Sequence, residues 1–239
     1  MIFAIGDLHL PGMDDKPMNV FGEQWERHFD VIQANWRSRV REEDIVLIPG
    51  DISWAMQLEE AMGDFESIAS LPGQKILIRG NHDYWWGGIG KLRRALPHGM
   101  YALQNDSFML GDVVYCGSRG WMIPTESVPL DQQDHKIFVR ETERLRISLA
   151  HAVSGAKGRR IIALMHFPPL LADGAETAFS TLLERAGVTD VVYGHLHGAG
   201  IRNGFTGVRQ GVRYHLVSCD AIQFSPAFIC ESDRQEINY

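Results

Sequence analysis

Five short segments gather most of the Asp, Asn and His residues that could do chemistry together: GDLH at residues 6–9, GDIS at 50–53, GNHD at 80–83, MHF at 165–167 and GHLH at 194–197. A pair of metal ions, about 3.5–4 Å apart, needs terminal ligands for each ion and a carboxylate able to bridge. Asp7, His9 and His197 suit one ion, Asn81, His166 and His195 suit the other, and Asp51 is the natural bridge. The GHLH spacing puts two imidazoles on the same side of an extended chain, so each can reach a different metal. Imidazole, carboxylate and amide oxygen without thiolate suit Mn, Fe, Zn or a similar borderline ion. Each piece has an ordinary use by itself: GD is a common turn, Asn81 could start a helix, and a single His166 could be a satisfied core histidine. The joint pattern is what points to metal chemistry.

Something must bring these segments together. The first three directly follow aliphatic runs at residues 2–5, 45–48 and 76–78, and His166 and His195 follow similar runs at 161–165 and 191–193. Such runs read as buried parallel strands. In an α/β protein the loops beyond the carboxyl ends of parallel strands form the binding crevice, so the five segments should converge. Between them, an apolar stripe from Phe21 through Trp25, Phe29, Ile32, Trp36 and Val40 predicts one crossover helix, with His28 beside it at the surface. A second stripe, Met56, Leu58, Ala61, Met62, Phe65, Ile68 and Leu71, predicts another that ends near Pro72 and Gly73. Short strands at 101–103, 108–110 and 113–116 suggest meander pairing. Helices are expected at about 134–153 and 176–186, and late strands at 214–218 and 227–230 should close a second sheet.

The five segments, in this order, make the chain resemble the calcineurin-like metallophosphoesterases, whose signature runs GDxH, GD, GNH followed by Asp or Glu, a later His, and GHxH. The match extends from Gly6 to His197. The resemblance implies an α/β fold of two mixed β-sheets packed as a sandwich and flanked by helices. It implies that Asp7, His9, Asp51 and His197 hold one divalent metal and Asp51, Asn81, His166 and His195 a second, with His82 as the catalytic histidine. It also implies hydrolysis of a phosphate ester by attack of a metal-bridging hydroxide, His82 aiding the leaving group. One departure stands out. Many members continue the second motif as GDxxD followed by Arg, whereas this chain has Trp54 at the position of the later Asp. Trp can neither accept a proton nor carry negative charge, so His82 needs another partner or keeps a less perturbed pKa.

Composition fits one domain over residues 1–239, since a chain of this length with 45% hydrophobic residues can bury a substantial core. With 23 basic and 30 acidic residues the net charge is −7, which leaves no broad basic surface for duplex nucleic acid. Two divalent cations would still outweigh Asp7, Asp51 and a hydroxide, so the pocket itself can attract a small phosphate ester. Cys116, Cys219 and Cys230 show no CxxC spacing and suggest a reducing compartment. A first strand at Ile2 leaves no room for a leader ahead of the fold, and no apolar run approaches the ~20 residues that span a membrane. The cytoplasm is therefore the expected location. Arg119, between glycines at 117 and 120, is a candidate for binding phosphate oxygens in pairs, and Trp85, Trp86 and Trp121 could stack on a base or pack in the core. His98, His135, His151 and His215 match no family position. Two other readings use the same residues. One is a phosphodiesterase acting on cyclic nucleotides or nucleic acid, and the other is a non-catalytic scaffold, against which stands the full set of ligand positions.

Overall fold

In the computed structural model, which describes residues 1–12, 18–125 and 128–232, the elements run β1 (Ile2–Ala4), α1 (His28–Arg39), β2 (Ile45–Ile48), α2 (Met62–Ala69), β3 (Gln74–Leu77), α3 (Ile89–Ala95), β4 (Met100–Ala102), β5 (Ser107–Leu110), β6 (Val113–Ser118), α4 (Gln132–Ala156), β7 (Arg160–Met165), α5 (Ala178–Arg185), β8 (Asp190–Tyr193), β9 (Gly207–Arg209), β10 (Val212–Leu216) and β11 (Ala227–Cys230). The strands form two mixed sheets, in the orders β11-β1-β2-β3-β4 and β5-β6-β7-β8-β10-β9. The aliphatic runs are buried on both faces because each sheet is covered twice. Ile2, Ala4, Ile45, Leu47 and Ile76 meet Tyr115, Ile162, Leu164 and Val192 between the sheets. Phe3, Val46 and Ile48 point the other way, against Ile32, Trp36 and Phe65 of α1 and α2. Ala163, Met165 and Val191 likewise pack on Leu145, Leu149 and Phe179 of α4 and α5. Because side chains alternate, a one-residue slip would turn each inner set toward the wrong layer, which holds the register.

Both apolar stripes lie where the crossovers need them. The first helix starts later than its stripe: Trp25 sits in a short 3-10 turn, Glu23–Trp25, and Arg27 adopts a left-handed conformation with φ 51° before α1 begins. The side chain of Phe21 lies outside what is described. His28 is not at the surface. It is buried, with Nδ1 3.1 Å from the Trp25 carbonyl and Nε2 2.8 Å from the Leu8 carbonyl, because the polar ring links this turn to the first motif loop. Asp131 caps α4 by accepting from the Asp134 N–H at 2.7 Å, so the helix begins two residues earlier than its sequence pattern suggested, and it runs three residues further, to Ala156.

Two pairings differ from the expected ones. Strands β4, β5 and β6 do not form a meander: β4 pairs in parallel with β3, and only β5 and β6 make a hairpin. The Arg93 guanidinium binds the Ala102 carbonyl at 3.0 and 2.8 Å, anchoring the point where the chain leaves one sheet for the other. Strand β11 joins the first sheet rather than the second, antiparallel to β1. The outer edge of β10 is already occupied by β9, whereas β1 has a free edge where Phe228 meets Phe3 edge-on at 5.9 Å. Among the described residues no helix is long and apolar enough to cross a membrane.

Trp36 is fully buried, and its indole N–H donates to the Pro72 carbonyl at 2.9 Å, joining α1 to the turn ahead of β3. Trp36→Ala should lower the unfolding free energy by about 3–5 kcal/mol, read from urea denaturation followed by circular dichroism.

Candidate metal centre

Parallel pairing puts the carboxyl ends of β1, β2, β3, β7 and β8 along one rim of the two sheets. At that rim the sheets are tied together: the Gly6 N–H donates to the Val217 carbonyl at 2.7 Å and the Cys219 N–H to the Gly6 carbonyl at 3.1 Å. Within each sheet neighbouring loops are also tied, His9 N–H to the Asp51 carbonyl at 3.0 Å and Gly194 N–H to the His166 carbonyl at 3.1 Å. Asp7, His9, Asp51 and His195 all have left-handed φ, at 57°, 46°, 52° and 74°. Such conformations in non-glycine residues cost of order 1 kcal/mol or more each and persist only where the surroundings impose them. Glycines make the close approach possible. A Cβ on Gly80 would overlap Asp51, and one on Gly194 would overlap the Asp7 carboxylate.

All seven residues predicted as ligands meet at this rim. Asp7, His9 and His197 form one group whose ligand atoms lie within 4.8 Å of one another, and Asp7, Asp51 and His166 form another. Asn81 Oδ1 is 2.6 Å from His166 Nε2 and 3.0 Å from His195 Nδ1. Asp7 belongs to both groups, and Asp51 Oδ2, of the second, lies 3.9 Å from His9 Nε2 and 3.4 Å from His166 Nε2. Imidazole nitrogens face one another, His9 Nε2 to His197 Nε2 at 3.4 Å and His195 Nδ1 to His166 Nε2 at 3.3 Å. Two facing nitrogens can share at most one proton, whereas all of them can direct lone pairs at a cation. The donor set therefore fits divalent metal. His166 is oriented by donation from Nδ1 to the Pro49 carbonyl at 3.0 Å, which leaves Nε2 free for the centre.

The protonation states follow from burial and charge. Burial pushes His9 and His195 down to about 3, so both are neutral at pH 7, with lone pairs available to a cation. Burial also opposes the charged form of His197, yet hydrogen bonds to Asp220 and Asp7 and their charges outweigh it and raise it to about 10. Burial and then the charge of Asp7 push Asp51 up to about 8. Burial opposes the ionisation of Asp7 too, but its hydrogen bond to His197 and the nearby imidazoles hold it well below the usual carboxylate range.

Two acidic residues beyond the predicted ligand set hold the centre in place. Asp220, just past β10, bonds His197 Nδ1 at 2.8 Å and accepts from the Gly198 N–H at 2.9 Å. Nothing in its sequence neighbourhood, SCDAI, marks it. Asp83 is the last residue of GNHD and is fully buried. Its carboxylate accepts from the backbone N–H groups of Asp51, Ile52 and Gly80 at 2.9, 2.8 and 2.7 Å, and from Ser53 at 3.3 Å. The motif position was visible, but not its use as a clamp between two ligand loops.

His82 stands at the edge of the centre, its N–H donating to Asp51 Oδ1 at 2.8 Å. Trp54 lies beside it as the sequence position implied, with ring centroids 4.5 Å apart, and also stacks on His9 at 5.0 Å. Tyr84 Oη is 3.5 Å from His82 Nδ1. Arg119 stacks over Trp121 at 4.6 Å and lies 3.4 Å from Glu141, while its carbonyl accepts from His166 and Phe167 N–H at 3.1 and 2.9 Å. Trp85 and Trp86 are core residues. His98, His135 and His151 are exposed, and His215 bonds Asp190 at 3.0 Å.

The calcineurin-like phosphoesterase profile matches residues 1–199. The chain belongs to this family. Its two mixed sheets with flanking helices are the family's fold, and membership supports a metal-dependent phosphoesterase. No curated protein matches the sequence significantly. Among solved structures, a protein of unknown function from Aquifex aeolicus is similar at 14% identity and TM-score 0.48, covering 95% of this chain and 94% of that one. The phosphopantetheinyl hydrolase of Mycobacterium tuberculosis is similar at 15% identity and TM-score 0.49, covering 91% and 88%.

Removing the Asp83 carboxylate would leave several buried N–H groups without an acceptor, at about 1–3 kcal/mol each if unsatisfied. Asp83→Ala should therefore cost at least about 3 kcal/mol of stability and much of the metal affinity, measured by denaturation and by metal content after dialysis. In the metal-free protein His197 and Asp51 hold protons at pH 7, because their pKa values lie near 10 and 8. Metal binding must expel them, so affinity should rise as pH rises toward 8 and beyond. Calorimetric titration with Mn²⁺ in buffers of different ionisation heat checks this, and metal binding without proton release would refute it.

Proposed function

We propose that the protein hydrolyses a small phosphate ester at two divalent metal ions held by Asp7, His9, Asp51, Asn81, His166, His195 and His197, with Asp51 shared. The observation that carries this reading is that Asp51 Oδ2 lies within 4 Å of both His9 and His166, one from each of two groups of convergent donors. Manganese, iron or zinc suits these donors. When bound, such ions supply an activated water at neutral pH and offset charge that builds on the phosphoryl oxygens. The chain's own residues do the rest. Asp7, accepting the His195 N–H with both oxygens at 3.0 Å, fixes the GHLH loop in the ligating geometry. Asp220 holds His197 by Nδ1, leaving Nε2 for the centre.

His82 is the proton donor or hydrogen-bond donor to the leaving oxygen. It is half-buried, and burial first, then the nearby His166, lowers its pKa from the ordinary histidine value. Where many relatives place a carboxylate, Trp54 offers an aromatic face, which positions the ring without adding charge. The downward shift favours the neutral form of His82, which still donates a hydrogen bond through N–H, while its protonated fraction can transfer a proton. Three free cysteines, two of them buried, support a reducing compartment such as the cytoplasm.

With Mn²⁺ the protein should hydrolyse a generic aryl monoester faster than the corresponding diester. The reverse ranking would redirect the reading to a phosphodiesterase, and no hydrolysis of either by metal-loaded protein would remove it. Asp51→Asn should lose metal from both positions. His82→Ala should keep its metal and lose about 10²- to 10⁴-fold in turnover, and equal loss of metal would recast His82 as a ligand.

A further inference from the structure

A cavity of about 220 Å³ is lined by Arg79, Gln104, Arg119, Glu141 and Arg144, two of which adjoin loops that carry candidate metal ligands. It spans both sheets. Arg79 ends the β3 run and directly precedes Gly80 and Asn81, while Arg119 follows β6 and its carbonyl holds the His166 loop. Glu141 and Arg144 come from α4. Three guanidinium groups here face one carboxylate. Glu141 is nearly fully buried and uses the same oxygen, Oε1, for both Arg144 at 2.7 Å and Arg119 at 3.4 Å. One acid cannot neutralise three bases, so the cavity carries an excess of positive charge in a chain whose net charge is −7.

The donors are also unsatisfied. The Nε groups of Arg79 and Arg119 are both buried without a hydrogen-bond partner. Both atoms are closed to solvent and so to a molecule in the cavity, which makes the excess charge of these guanidinium groups, rather than the Nε donors, what an anion there would meet. Guanidinium groups match the oxygens of phosphate or carboxylate in pairs. At about 30 Å³ per water molecule the volume holds a tetrahedral oxyanion with space for the atoms that connect it.

We propose that this cavity is a second anion site, which takes a phosphate or carboxylate borne by the same substrate whose phosphoryl group lies at the metals. The inference deepens the phosphoesterase reading and rests on it for the word substrate. It assigns the substrate class: esters with a second negative group a few bonds from the scissile one. Arg79 and Asn81 are two residues apart on one loop, so the same backbone segment would report occupancy of the cavity to the metal centre.

Inorganic phosphate titrated into the metal-free full chain, followed by calorimetry and by intrinsic tryptophan fluorescence, tests the site without hydrolysis. Binding should weaken at least tenfold in Arg79→Gln and again in Arg144→Gln, a surface-side change that spares the loops, with circular dichroism spectra unchanged. A second arm compares alkanediol bisphosphates of increasing chain length with their monophosphates under Mn²⁺. The kcat/KM ratio of bisphosphate to monophosphate should exceed ten at one length in the wild type and fall at least tenfold in Arg79→Gln. Phosphate binding that is absent, or equal in all three proteins, overturns the site. A ratio near one at every length overturns its role as a substrate pocket. If phosphate binds as expected but no monophosphate is hydrolysed by metal-loaded protein, the phosphoesterase reading fails while the anion site stands.

Discussion

Two carboxylates, Asp7 fully buried and Asp51 2% exposed, are confined among four imidazoles at the junction of two sheets. Ionised acids taken out of water are costly unless other charges and donors replace the solvent. Much of the surrounding structure is that replacement. Asp7 receives a backbone N–H and the His197 ring, Asp51 receives the His82 N–H, and the imidazoles remain neutral or share the carboxylates' charge. The opposite displacements of Asp7 and Asp51 express one fact: with no cation between them, only one of two adjacent buried acids can ionise at neutral pH. A divalent ion removes that conflict, which makes metal binding a structural event as well as a chemical one.

Holding such groups requires a rigid frame. The layer between the sheets is aliphatic, with Ile2, Leu47, Ile162 and Leu164 all at or near full burial, and it fixes the strand ends from which the loops leave. From those ends the chain turns through left-handed φ at four ligand residues, a strain that the hydrogen bonds across the loops retain. Asp83 is central to this, since one buried carboxylate bonds to N–H groups from two different motif loops. Close approach of the loops then leaves no space for side chains at Gly80 and Gly194.

Around the centre the protein is asymmetric. One flank is aromatic, where Trp54 lies against His9 and His82, and Trp25 meets the His197 ring edge-on at 5.4 Å. Another flank is cationic, with Arg79 and Arg119 at the ends of strands from different sheets. An apolar wall limits water near the reacting group, while the arginines strengthen attraction for anions against the acidic exterior. The two flanks are formed by different layers of the fold and come together only at the rim.

By itself the sequence determined which candidate ligand types are present and the strands that carry them. Asp7, Asp51, Asn81, His166 and His195 each follow a buried aliphatic run, and the unbroken apolar character of residues 2–5 and 161–165 already specifies two covered faces, because burial on both sides demands continuous apolar side chains. The crossover helices were legible in part through 3.6-residue periodicity in segments such as 56–71, of which α2 takes only Met62–Ala69 while residues 56–61 form turns. Other features depend on contacts between residues far apart in the chain, which local pattern does not encode. The pairing of β11 with β1 depended on which sheet edge was free, and the burial of His28 on two carbonyls that only the folded chain brings near. Asp220 reaches His197 across 23 positions, and the three arginines meet from residues 79, 119 and 144. A donor's type is written in its own residue, but the partner it meets is decided by the packing of layers, and that only the tertiary structure supplies.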